Sequence, residues 1–350
     1  MRLLFILLLF FEFNTLHCQD TVKVALTLTP EQQAEEDYNK GLAALKTKDF
    51  NTSIELFSKC VTMKPQFDKA FYNRAVAYSH LGKNAEALND INVAIKITPR
   101  NPDNFFNKSL IFLGMNQKDS QQVALDNCLR LNGEHAQAAY YKGMFAFETG
   151  DFDKSVGYYS IAILSNKNYV YAYNDRASAK RQKGDLAGAI ADYEAALAID
   201  STQVFIYNNL GSAYRLTKNY PKAIEAYSKA FKANPQYWTA LVNRGNAYLE
   251  SNELKLAQLD FEEALAIDPK NAFAYNNLAS IALKNKDYKK AKDLASRSIE
   301  LDPKNGAAFY NRGIARQLLR EEEQCCADWK KALELGVEGA KIFINATCTN

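Results

Sequence analysis

Three histidines, six cysteines and a scatter of carboxylates are the groups through which this chain could do chemistry. His17 lies beside an apolar N-terminal run, and His80 and His135 stand far apart in the sequence. No HExxH, GxSxG, Walker A or GxGxxG sequence occurs. The spacings that place a zinc pair on one helix face, a nucleophile on a sharp turn or a phosphate on a glycine-rich loop are therefore missing. The cysteines are Cys18, Cys60, Cys128, Cys325, Cys326 and Cys348. They form no CxxC pair and fit neither a zinc site nor a dense disulfide framework. Adjacent Cys325 and Cys326 cannot easily bridge each other, and the disulfide status of Cys325, Cys326 and Cys348 stays open. Carboxylates such as Glu35, Asp103 and Asp175 are dispersed and read as solvated surface. The expectation is a protein that is not an enzyme, with no catalytic residue, no metal and no cofactor. Asn-x-Ser/Thr triplets at Asn51, Asn107 and Asn345 are short motifs that arise often by chance.

The elements that would position any binding group come next. Lys and Arg total 43 against 40 Asp and Glu, a net charge of +3, which argues against nucleic acid as the partner. With 47% hydrophobic and 24% charged residues the chain can bury a core, so disorder is not expected. Glycine (15) and proline (8) are too scarce for a turn-rich all-β fold. Met1 and Arg2 precede an apolar run at residues 3–11, too short to span a bilayer and patterned like a secretory signal. Residues 1–18 are read as that signal, with cleavage near Cys18. Lipidation of Cys18 is the alternative and the only route foreseen to membrane contact. Residues 19–33 are read as a short linker. The expected location is exported: periplasmic, envelope-associated or extracellular.

Five of the prolines, Pro65, Pro99, Pro235, Pro269 and Pro303, share one 34-residue register. Counting from Ala34, nine units run without insertion or deletion: 34–67, 68–101, 102–135, 136–169, 170–203, 204–237, 238–271, 272–305 and 306–339. Position 8 is always small, from Gly41 to Gly313, and so is position 27, from Cys60 to Ala332. Position 20 is small except at Gln121, with Cys325 filling it in the last unit. Position 24 is mostly large, as at Phe57, Ile91, Leu125, Tyr159, Tyr193, Tyr227, Phe261 and Trp329, with Ala295 the exception. Positions 4, 8 and 11, like 20, 24 and 27, have the i, i+4, i+7 spacing of one helix face. Small residues let two helices approach, the large residue fills the gap between them, and proline at position 32 stops the second helix. Arg occupies position 7 in four units (Arg74, Arg176, Arg244, Arg312), and those four alone carry Asp at position 23 (Asp90, Asp192, Asp260, Asp328). The two positions are expected to touch as an ion pair.

This pattern resembles the tetratricopeptide repeat family. The resemblance covers residues 34–339 and implies an all-α, right-handed α-solenoid of nine helix-turn-helix repeats. Residues 340–350 are read as a C-terminal cap, with a short helix over 340–348 after Gly336. Gly133, Lys167 and Ser201 replace the proline in the third to fifth repeats, so residues 102–203 depart from the family pattern there.

Position 6 is asparagine in seven repeats: Asn39, Asn73, Asn107, Asn209, Asn243, Asn277 and Asn311, with Tyr141 and Asp175 interrupting. It shares a helix stripe with positions 2, 9 and 13, a stripe that in the family lines the concave groove. The row is similar to the asparagine ladder of the O-linked N-acetylglucosamine transferase solenoid, where amides bind a target peptide's main chain. The alternative is that these amides stabilise the turn or the neighbouring first helices. Position 5 adds an aromatic row at Tyr38, Tyr72, Phe106 and Tyr140, so the first four repeats offer an apolar groove and the fifth to eighth a polar one. The alternative there is burial of the stripe between adjacent repeats. Three functions stay open: a non-enzymatic scaffold gripping an extended protein or peptide segment, a structural component of an envelope or secretion complex assembled through its convex face, and a non-catalytic subunit of an enzyme complex. No small-molecule substrate is evident.

Overall fold

Small and apolar residues at helical spacing ask for two helices in each repeat, and the computed structural model, which describes residues 28–348, contains both in every one. The chain divides into two compact bodies, one ending at Pro99 and the other beginning at Arg100. The first holds α1 (Pro30–Lys46), α2 (Phe50–Met63), α3 (Asp68–His80) and α4 (Asn84–Ile97). The second holds α5 (Pro102–Gly114), α6 (Lys118–Leu131), α7 (Ala136–Glu148), α8 (Phe152–Ser165), α9 (Val170–Gln182), α10 (Leu186–Ile199), α11 (Val204–Leu216), α12 (Tyr220–Ala233), α13 (Trp238–Glu250), α14 (Leu254–Ile267), α15 (Ala272–Lys284), α16 (Tyr288–Leu301), α17 (Gly306–Leu318), α18 (Glu322–Glu334) and the short α19 (Ala340–Thr347). No strand occurs among the described residues, and the fold is of the all-α solenoid class expected from the sequence. The signal, its cleavage site and Cys18 lie outside the described residues. α1 starts at Pro30, inside the stretch read as linker, because Thr29 and Gln32 form a reciprocal capping box.

Local chemistry sets the helix ends. The turn inside every repeat places position 15 in the left-handed region, from Lys48 (φ 63°) through Gly82 and Asn116 to Arg320 (φ 63°). Six of these nine residues are not glycine, so the turn itself holds a conformation most side chains avoid. The next residue then caps the second helix: Asp49, Asp151, Asp185, Asn219 and Asp287 each accept the N–H three residues on. Between repeats, Asn132, Asn166 and Asp200 accept the N–H two residues on, at 2.9–3.1 Å. The same Asx turn forms at Asn234, Asp268 and Asp302 beside proline, so it ends the second helix with or without that residue. Residues 102–203 accordingly keep the helix boundaries of the other repeats.

The core follows the small-against-large rule. A Cβ added at Gly143, Gly211 or Gly245 would lie 2.7 Å from the ring of Tyr159, Tyr227 or Phe261, so the ring would have to shift to admit it. The Arg–Asp pairs form as expected and are bidentate. Arg74 reaches Asp90 at 2.7 and 2.8 Å, and Arg244 reaches Asp260 at 2.8 and 2.6 Å. Arg176–Asp192 and Arg312–Asp328 repeat the geometry. A third partner comes from the repeat before: Ser58, Ser160, Ser228 and Ser296 accept from the respective arginines. The four aspartates are buried, so each pair ties two repeats together around a charge that cannot return to water.

The C-terminal cysteines, left open by the sequence, are resolved by the fold. Cys326 and Cys348 form a disulfide, with Cα atoms 5.7 Å apart. α19 folds back onto α18, packing Phe343 against Trp329, and this brings together two cysteines that sequence spacing leaves unrelated. Cys60, Cys128 and Cys325 are buried free thiols. Burial pushes Cys60 up to about 11 and Cys128 up to about 12, values that suit packing residues and not nucleophiles.

Candidate functional site

The asparagine row lies on the first helix of each repeat and is partnered between repeats. Asn209 Nδ2 donates to Asn174 Oδ1 at 3.1 Å, Asn243 to Asn208 at 2.9 Å and Asn311 to Asn276 at 2.9 Å. In each case position 6 donates to position 5 of the repeat before it. Position 5 of the seventh repeat is Val242, which can accept nothing, and Asn277 turns to Asn246 instead at 2.7 Å. In the first body Asn73 donates to the Tyr38 hydroxyl at 3.0 Å. Where position 6 is Asp175 the direction reverses, and the Tyr140 hydroxyl donates to its carboxylate at 2.7 Å. Asn39 is exposed, whereas Asn107 is buried and its amide nitrogen lacks a partner.

The inter-repeat role foreseen as the alternative is therefore real, but it leaves the amides underused. Each of these four bonds in the second body takes one N–H of a carboxamide that offers two, and none uses the donor's own carbonyl oxygen. Asn209, Asn243, Asn277 and Asn311 all remain partly exposed. The bonds fix each amide's orientation and present its remaining donor and acceptor along one stripe.

The aromatic row is occupied by packing. Tyr38 sits against Phe57 and Phe67, with ring centroids 5.8 and 4.8 Å apart. Phe106 is buried against His135 and Tyr141. Tyr140 packs on Tyr159 and Tyr169, and burial together with the adjacent Asp175 charge raises its hydroxyl pKa. Tyr72 is half-buried. The aromatic surface that does reach solvent on the groove stripe is at position 2, which sequence reasoning passed over. Tyr171 (50% exposed) stacks on Phe205 in the next repeat, and Phe273 is 60% exposed. Leu216 and Leu318, at position 13 of the same stripe, are also exposed. Large apolar side chains left in water at repeat period were the available signal.

Asp175 is the one ladder position that carries a charge. Its two oxygens accept from Tyr140 and from Asn174 (2.8 Å), yet burial outweighs both bonds and raises its pKa. The two described histidines make packing and capping contacts: His135 caps α7 through Nδ1 and meets Asp103 through Nε2, and His80 stacks on Phe50.

With the geometry in place, the comparison with known proteins is decisive. Residues 38–67, 68–101, 120–168, 204–237, 238–271 and 261–293 match the tetratricopeptide repeat, and residues 177–218 match the TPR repeat. The chain belongs to the tetratricopeptide repeat family. Heat shock protein STI1 of Saccharomyces cerevisiae is 30% identical over 106 residues, 30% of this chain and 18% of that protein. Tetratricopeptide repeat protein 13 of Homo sapiens is 27% identical over 144 residues, 41% of this chain and 16% of that protein. This tetratricopeptide repeat chain thus aligns with less than a fifth of either relative's length. Among solved structures, PilF of Pseudomonas aeruginosa has a TM-score of 0.51 at 16% identity, covering 58% of this chain and 92% of its own. Cut9–Hcn1 of the APC/C hetero-tetramer also has 0.51, at 15% identity, covering 79% of this chain and 54% of its own. These two likenesses concern the fold.

Proposed function

We propose that this tetratricopeptide repeat protein is an exported, non-enzymatic scaffold that holds an extended segment of a partner protein along the first helices of its second body. The observation that carries the reading is the set of oriented amides at Asn209, Asn243, Asn277 and Asn311, each bonded through one N–H and open at its remaining groups. An amide so held can accept a peptide N–H and donate to a peptide C=O without first being ordered, which lowers the cost of binding. Main-chain capture reads no side chains, so selectivity falls to the exposed Tyr171 and Phe273 and the half-buried Phe205 beside the row. The half-buried position-5 rings at Tyr38, Tyr72 and Tyr140 contribute their edges at most, and the buried Phe106 contributes nothing. Export is supported by the signal-like N-terminus and by the Cys326–Cys348 disulfide, a bond that persists outside reducing compartments. The test is the combined replacement of Asn209, Asn243, Asn277 and Asn311 by alanine. Partner capture from the exported fraction should fall by orders of magnitude while helicity is retained. Full capture by a folded quadruple variant would reduce the row to an inter-repeat brace.

A further inference from the structure

The fifth and sixth repeats carry the same three groove residues, and only one set is charge-balanced. In the sixth, the Tyr227 hydroxyl donates to Ser212 at 3.1 Å, Arg215 stands beside that hydroxyl, and the guanidinium is paired with Glu250. In the fifth, Ser178 and the Tyr193 hydroxyl are 2.9 Å apart and Arg181 stands beside Tyr193. Glu250 lies 35 residues after Arg215. The same step from Arg181 arrives at Leu216, which carries no charge and is 49% exposed. Arg181 lines a cavity of about 290 Å³ with Met144, Phe147, Glu148, Asp175 and Ser178. Neither carboxylate there is paired with it. Glu148 pairs with Lys118 at 2.7 Å, and both oxygens of Asp175 accept other bonds. Among the described residues Arg181 forms no ion pair, and this is what separates it from Arg215, since the Nε atoms of both are buried without a partner.

We propose that Arg181 is the anchor for an aspartate or glutamate side chain of the bound segment, which takes the place that Glu250 fills one repeat later; this rests on the groove reading above. A guanidinium is built to take a carboxylate through two parallel N–H groups, and the apolar wall of Met144 and Phe147 would strengthen the pair by displacing water. The amide row begins one repeat later, at Asn209, and runs on through Asn243, Asn277 and Asn311, so a segment lying along the row reaches the site from one side. The occupant proposed is a side-chain carboxylate, and peptides without a free C-terminal carboxylate separate it from a chain end.

The probe is a phage-displayed library of random peptides selected against the full chain, with the selected sequences then synthesised. They should share an acidic position, and changing that residue to its amide should weaken binding about tenfold or more, as should Arg181→Gln. Leu216→Glu supplies the missing internal carboxylate from an exposed position and should cause the same loss with Arg181 intact. Glu250→Leu should free Arg215 and select for a second acidic residue. Peptides that depend on the four asparagines but show no acidic position, and bind unchanged to Arg181→Gln and Leu216→Glu, overturn the anchor and leave the groove reading standing. If no peptide is selected, or none depends on the asparagines, the groove reading falls and the anchor with it.

Discussion

The fourth repeat and the sixth repeat share one frame and line the same stripe with different material. Their helix pairs close on the same contact, Gly143 under Tyr159 in one and Gly211 under Tyr227 in the other. Position 5 also does the same job in both, bonding to position 6 of the repeat that follows: Tyr140 to Asp175, Asn208 to Asn243. Tyrosine performs that job with a ring that fills the space between repeats. Asparagine performs it with an amide that leaves the stripe open and polar. The inter-repeat bond is thus the common requirement, and the residue chosen to make it decides whether the face is closed or available.

If the frame is shared, damage to it should exceed any change on the stripe. Arg244→Leu leaves Asp260 buried without its guanidinium and should cost about 3–5 kcal/mol by denaturant unfolding, part of which Asp260→Ala should restore. Arg176→Leu should cost less, because Lys180 also reaches Asp192, at 2.8 Å. Equal losses at the two sites would show that the lysine does not compensate. Next in size, Gly143→Ala and Gly211→Ala should each lose roughly 1–3 kcal/mol from overpacking against a ring. Unequal losses would mean that the frames of the two repeats differ after all. On the stripe itself, Asn246→Ala removes the acceptor of Asn277 and should lower stability by about 1 kcal/mol. Adding Val242→Asn, which restores a position-5 acceptor, should return most of that loss.

The smallest effect concerns pH. Burial raises the Asp175 pKa, so its protonated form is the one the fold prefers. The stabilisation is complete below the ordinary carboxylate range and is lost as pH rises through the raised value. Asp175→Asn removes this loss. Its melting-temperature advantage over the natural chain should grow from mildly acidic to neutral pH. An advantage that does not change with pH would place the raised titration elsewhere.

The frame was legible because repetition makes each contact visible many times. Gly211 alone predicts nothing, whereas nine small residues at one position and large rings at another predict a packed pair. The Arg–Asp rows were legible for the same reason, and their third member was legible but unread. Serine occupies position 25 in the first, fourth, sixth and eighth repeats only, each time before a repeat with the arginine. The stripe was harder. Asn209 and Asn243 could be recognised as a row, but whether an amide faces a neighbour or a ligand depends on what stands 35 residues earlier. Val242 shows that the answer changes from repeat to repeat. The exposed stack of Tyr171 on Phe205 and the unbalanced Arg181 are irregularities within the repeat, and a consensus built from all repeats averages them away. The Cys326–Cys348 bond lies beyond the periodic part of the chain, so periodicity carried no information about it.

That bond also sets the boundary condition of the array. In a stack of near-identical repeats each member is held by its neighbours, so an end repeat, with one neighbour instead of two, is where melting ordinarily begins. Here α19 covers the outer face of α18, and a cross-link spanning 22 residues of sequence holds it there. Closing a loop of that size removes unfolded-state freedom equivalent to about 3 kcal/mol. The C-terminal edge is thereby changed from the place where unfolding nucleates to a fixed wall, and thermal fraying is directed to other parts of the chain. The wall stands only while the bond is oxidised, so the direction in which the array melts depends on the redox poise of its surroundings.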